Sequence, residues 1–143
     1  MTVDVVFVRH GERLDKADTL TDQGTRAAFE VGLWLAKNNI QVGLYIHTER
    51  RRTQLTAEQI ARTLPAPMRS RPGMPATEEN LLKLCLERAP DAGALVLIGH
   101  HSTQSLIERR LGGEAFEVPK DNRGAAFAMR WVDGRLRCVA VFA

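Results

Sequence analysis

Two histidines stand at matching places in this chain. Val5-Val6-Phe7-Val8 runs into Arg9-His10-Gly11, and Leu95-Val96-Leu97-Ile98 runs into Gly99-His100-His101. Each preceding run is short, apolar and rich in branched residues, which reads as a buried strand. Ligands bind along the carboxyl ends of strands in an open parallel sheet. His10 and His100 should therefore share one crevice. A third strand, Val42 to Ile46, ends at His47, with Arg50-Arg51-Arg52 within a turn of it. Imidazoles and guanidiniums converging on one rim make a site for a dianionic phosphate. A neutral imidazole can attack phosphorus in line and hold the phosphoryl group covalently. Its other ring nitrogen must then donate a hydrogen bond, usually to a backbone carbonyl, and Gly11 lets the backbone come close. Arginines cradle the phosphoryl oxygens, and His100, when protonated, adds a further positive donor. His101 offers a second register for that role. The histidine pair is a poor metal site, because adjacent side chains point different ways and no carboxylate cluster joins them.

The elements that must position these residues alternate along the chain. Val3 to Val8 is the first strand. Thr21-Asp22-Gln23-Gly24 opens a helix, and Ala27, Val31, Trp34 and Leu35 recur at helical spacing up to Asn38-Asn39. After the second strand, Thr53, Ala57, Ile60 and Leu64 mark a second helix stopped by Pro65 and Pro67. A short edge strand fits Met68 to Ser70. Thr77 caps a third helix carrying Leu81, Leu82 and Cys85, with Glu78 and Glu79 in its first turn. Ala94 to Ile98 should be a central parallel strand. Leu106, Ile107 and Leu111 share one helix face, ended by Gly112-Gly113. Ala125 to Val132 and Arg135 to Phe142, joined by Asp133-Gly134, form a terminal hairpin. This alternation predicts an open α/β sheet with helices on both faces.

The chain has 143 residues, 44% hydrophobic and 26% charged. That is one domain over residues 1–143, with an ordinary soluble composition that excludes disorder. No apolar run reaches the ~20 residues that cross a bilayer, and the first residues run straight into a strand. The expected location is the cytoplasm. Twenty basic and 17 acidic residues leave a net charge of +3, which is no nucleic-acid signature. Lysine occurs only at Lys16, Lys37, Lys83 and Lys120, and the arginine bias suits carboxylates and phosphates. Cys85 and Cys138 lack metal-finger spacing and read as two reduced thiols.

Arg9-His10-Gly11-Glu12 on the first strand resembles the signature of the histidine phosphatase superfamily, the phosphoglycerate mutase-like fold. Leu20-Thr21-Asp22-Gln23-Gly24 is similar to that family's leucine-threonine-x-x-glycine helix start. The stretch from His47 to Glu58 resembles its arginine-bearing second helix, although His47-Thr48-Glu49-Arg50 replaces the usual serine-serine-proline-leucine. Ile98-Gly99-His100 resembles the strand delivering the second histidine. The resemblance implies a three-layer α/β/α fold on a mixed, mostly parallel six-stranded sheet with one antiparallel strand. It implies His10 as nucleophile, with Arg9, Arg52 and His100 completing the phosphate pocket. Counting back from Thr56-Ala57-Glu58 selects Arg52, with Arg51 as the neighbouring register. Glu78 and Glu79 lie where the family places its proton donor, but Thr77 capping explains them equally. His47, Gly11 and His101 are expected to line the substrate. In length the chain is similar to small phosphohistidine phosphatases.

The expected activity is therefore a cofactor-independent phosphatase acting through phospho-His10 on a phosphomonoester or a protein phosphohistidine. The partner is a phosphorylated small molecule or phosphoprotein, without nucleic acid, membrane or metal. A phosphoglycerate mutase-type transferase is the enzymatic alternative, disfavoured by the short stretch between Leu64 and Leu95. A non-catalytic phosphate-binding scaffold is the alternative of another class.

Overall fold

The computed structural model describes residues 2–11, 13–14, 17–72, 77–100, 103–107 and 124–142. In chain order these form β1 (Val5–Arg9), α1 (Asp22–Lys37), β2 (Val42–Thr48), α2 (Arg51–Ala61), β3 (Met68–Arg71), α3 (Glu78–Glu87), β4 (Ala94–Gly99), β5 (Ala126–Val132) and β6 (Arg135–Phe142). Residues 103–107 are also helical. The strands make one six-stranded sheet in the order β3-β2-β4-β1-β5-β6. Strands β1 to β4 pair in parallel, and β5 is antiparallel to both of its neighbours.

Alternation along the strands divides the core between the two faces. Val5 and Phe7 pack with Leu81, Leu84, Leu106 and Ile107, so α3 and the 103–107 helix cover one face. Val6 and Val8 pack with Val31, Leu35, Ala57 and Ile60, so α1 and α2 cover the other. The handedness of crossovers explains this division. From β1 to β2 to β3 the chain moves one way along the sheet, and from β3 to β4 it turns back. A right-handed connection travelling in the opposite direction lies on the opposite face. Neighbouring strands β1 and β4 thus lead into helices on different faces, and a crevice opens between their carboxyl ends.

The predicted element order agrees with this arrangement, while several boundaries differ. The first strand starts at Val5 rather than Val3 and includes Arg9. Strand β2 runs to Thr48, not Ile46, because it pairs with β4 as far as His47↔Ile98 and with β3 as far as Thr48↔Arg71. Helix α2 starts two residues before Thr53 and ends at Ala61 rather than Leu64. The Leu64 carbonyl instead accepts the Tyr45 hydroxyl at 2.6 Å. Thr21 and Thr77 cap α1 and α3 as expected, accepting from Gly24 N and Asn80 N. Asp133 and Gly134 both adopt positive φ, the conformation a two-residue hairpin turn requires. The expected helix end at Leu111 and Gly112-Gly113 lies outside the described residues. Both cysteines are free thiols, Cys85 buried and Cys138 half-buried.

Candidate active site

His10 is the first residue beyond β1, and its amide donates to the Gly99 carbonyl at the end of β4 at 3.2 Å. Its ring is buried, with Nδ1 2.8 Å from the Gly11 carbonyl oxygen. A carbonyl only accepts, so Nδ1 carries the proton and Nε2 keeps its lone pair. Burial lowers the His10 pKa most. The Gly11 bond opposes it, and the charges of His100, Arg52 and Arg9 add to it, giving a pKa of about 4 against an ordinary 6.5. At neutral pH the imidazole is therefore uncharged, which is the form that attacks an electrophile.

Gly11 contributes through its lack of a side chain. A Cβ there would lie 2.5 Å from the Gly24 carbonyl oxygen in the first turn of α1. Its amide donates to Thr56 Oγ1 of α2 at 3.1 Å. The residue after the histidine is thus wedged between the first turn of α1 and the middle of α2.

His100 follows β4, and its ring meets that of His10 edge to face with centroids 5.3 Å apart. Nε2 of His100 lies 3.1 Å from Thr48 Oγ1, which lies 2.7 Å from Thr53 Oγ1. Thr53 Oγ1 donates towards the carbonyls of Arg50 and Thr48, which can only accept. The proton order along this chain therefore runs from His100 Nε2–H to Thr48 to Thr53. Burial lowers the His100 pKa first, and Arg52 and Arg50 lower it further against the opposing charges of Glu49 and Asp18.

Helix α2 begins beyond Arg50 with no side-chain cap of its own. Asp18, from the segment between β1 and α1, takes that place. Its carboxylate accepts from the amides of Arg51 at 2.9 Å and Arg52 at 3.1 Å. It also pairs with Arg52 Nη1 at 3.0 Å. Burial raises the Asp18 pKa, but these three bonds outweigh it, and the carboxyl is held below its ordinary range. Of the three successive arginines, Arg50 and Arg51 are exposed, whereas the Arg52 side chain is 15% exposed and its charge acts on both histidines. Arg9 is buried, its amide on the Ala125 carbonyl, and its charge also reaches His10.

Arg9, His10, Arg52 and His100 therefore meet at the β1/β4 crevice. His47 lies within β2 rather than beyond its end, buried, with Nδ1 on the Thr48 carbonyl at 2.7 Å. Glu78 opens α3, and Glu79 is exposed in its first turn. His101 and Glu12 lie outside the described residues. Asp18 and Thr48 were not singled out from the sequence. The partners of Asp18 are 33 and 34 positions away, and His100 is 52 positions from Thr48. Only the packing of β2 and α2 against the crevice brings these groups together.

The model of the histidine phosphatase superfamily (branch 1) matches residues 5–75, the span from β1 through β3 that holds Arg9, His10 and Arg52. No curated protein matches the chain in sequence. Among solved structures, a protein of Agrobacterium tumefaciens assigned as the phosphohistidine phosphatase SixA superposes with a TM-score of 0.81. It is 16% identical, over 97% of this chain and 96% of that one. The protein histidine phosphatase SixA in complex with tungstate gives 0.77 at 18% identity, over 97% and 96%. Phosphoserine phosphatase from Entamoeba histolytica, with 3-phosphoglyceric acid bound, gives 0.63 at 14%, over 97% and 96%. At these identities the likeness is one of fold, and it extends through β4 to the terminal hairpin. The segment that bears the motifs thus matches the histidine phosphatase superfamily, and the chain as a whole takes the mixed sheet that carries His100 to its side.

Proposed function

We propose that the chain is a phosphatase that forms a covalent phosphohistidine on His10. The observation that carries this reading is a buried, neutral His10 whose Nδ1 proton is held by Gly11 O, leaving the Nε2 lone pair beside His100 and two arginines. Nε2 forms a bond to phosphorus as the bond from phosphorus to the leaving group breaks. Arg9 and Arg52 hold the phosphoryl oxygens, and His100, protonated beside the dianion, donates a further hydrogen bond while its Nε2–H stays on Thr48. A proton reaches the leaving group from Glu78 or Glu79, the acids at the start of α3. Water then attacks phospho-His10, giving inorganic phosphate and the free imidazole. Gly11, His47 and His101 border the substrate in this reading. Residues 1–143 act as one domain in the cytoplasm, with no metal or cofactor.

The substrate is a phosphomonoester or a protein phosphohistidine, and the likeness in fold to SixA supports the second. A panel that sets a phosphohistidine protein beside small phosphomonoesters separates the two. Turnover of at least one member, abolished in His10→Ala, is the expected result. Turnover retained in His10→Ala, or none on any member, would overturn the reading.

A further inference from the structure

A second basic feature lies away from the β1/β4 crevice. The edge strand β3 and helix α3 flank an open pocket of about 420 Å³, with Arg69 and Arg88 exposed at its mouth. Arg69 and Arg71 of β3 and Arg88 at the end of α3 line it, over a floor of Ile46 and Leu84. The register explains why two arginines of one short strand meet there. Arg69 lies opposite Ile46 and Arg71 opposite Thr48, and alternate residues of a strand share a face. Both therefore project with Ile46 towards the face that α3 covers, where Arg88 completes the trio.

Among the described residues, no carboxylate forms an ion pair with any of these three arginines. Arg69 Nη1 donates to the Met68 carbonyl at 3.1 Å, which leaves its other donors for a ligand. Three like charges around one cavity repel each other, and a bound anion relieves that repulsion. The volume falls within the range of small-ligand sites, and the apolar floor excludes water from one side of the anion. Strand β3 is three places from β1 in the sheet, on the order of 14 Å at ~4.8 Å per strand. One phosphoryl group cannot reach both His10 and these arginines.

We propose that this cavity is a second anion site, taking a carboxylate or phosphate group other than the one transferred at His10. The group belongs either to a distal part of the substrate or to a separate ligand. Citrate, with three carboxylates, serves as the probe, titrated at physiological ionic strength and followed by the backbone amide resonances of Ser70 and Arg71. The double variant Arg69→Ala/Arg88→Ala should bind citrate at least tenfold more weakly than the parent. Arg69→Gln/Arg88→Gln keeps most of each stem over the floor and should lose affinity alike. Arg62→Ala removes an exposed arginine just beyond α2 that sits over the Phe29 ring of α1, and should leave citrate binding unchanged. Equal citrate affinity in the parent and both double variants would overturn the proposal, as would binding lost only in Arg52→Ala. This measurement needs no turnover, so it stands apart from the phosphatase reading.

Turnover of nitrophenyl phosphate distinguishes the two sources. If citrate changes that turnover in the parent but not in the double variant, a separate ligand is the occupant. If instead the double variant raises KM only for substrates bearing a second anionic group, the occupant is the substrate itself.

Discussion

Removing Arg50 or Arg52 changes the net charge equally, yet the two side chains stand differently. Arg52 is largely buried and acts on His10 and His100, whereas Arg50 is exposed. Loss of a charge-assisted donor to a developing phosphoryl charge costs on the order of 3 kcal/mol, about a hundredfold in rate. We expect Arg52→Ala to lower kcat/KM for nitrophenyl phosphate by that factor and Arg50→Ala by no more than a few-fold. Steady-state kinetics on both variants check this, and Arg51→Ala behaving as Arg52→Ala should would move the assignment by one residue. His10 makes a second prediction through its buried ring. The folded ring takes up its proton near pH 4, whereas the unfolded ring does so near 6.5. Between those values the unfolded chain binds more protons, so stability falls as pH drops from 6.5 towards 4 and this contribution levels off below. Its size is on the order of 3 kcal/mol. Urea unfolding across that window should show a shallower loss in His10→Gln than in the parent. The slope should not vanish, because His100 shifts in the same direction.

Helix α2 is the element on which the site turns, since it carries Arg52 and, through Thr56, anchors Gly11. Its start is held by Asp18, which binds two amides and the Arg52 guanidinium together. Asp18→Ala removes the cap, at about 1 kcal/mol of stability, and frees the arginine. The expected result is a lower melting temperature with a several-fold drop in kcat/KM, both largely restored in Asp18→Asn, which keeps an acceptor. A variant that loses stability but keeps full kcat/KM would show that Asp18 caps the helix without positioning Arg52. Thr21 and Thr77 were legible as caps because they bond residues three positions onward in the same segment. The partners of Asp18 belong to another element, and nothing in local spacing reports them. The end of β2 was misplaced for a related reason. His47-Thr48 lacks a run of apolar residues, and only its pairing with β3 and β4 keeps it extended.

At the scale of the whole molecule, the return of the chain from β3 to β4 creates the crevice. That turn sends α3 to the opposite face and sets β4 beside β1. That His10 and His100 share one rim was legible because both end strands of the same parallel type, whereas their meeting depends on β1 and β4 being neighbours. Strand order itself was not legible, since it depends on which faces the connecting helices cover and not on any one segment. The cavity between β3 and α3 was also hidden, because Arg69, Arg71 and Arg88 converge only once a strand register and a helix end are fixed. The proposed activity stands on a bond between His10 Nε2 and phosphorus in the crevice. Rapid quenching of a single turnover into alkali, with a substrate labelled in its phosphoryl group, tests it most directly. Acid-labile, alkali-stable label is expected on the peptide containing His10, and none in His10→Ala. Label on a serine or cysteine, or turnover that persists in His10→Ala, would contradict it.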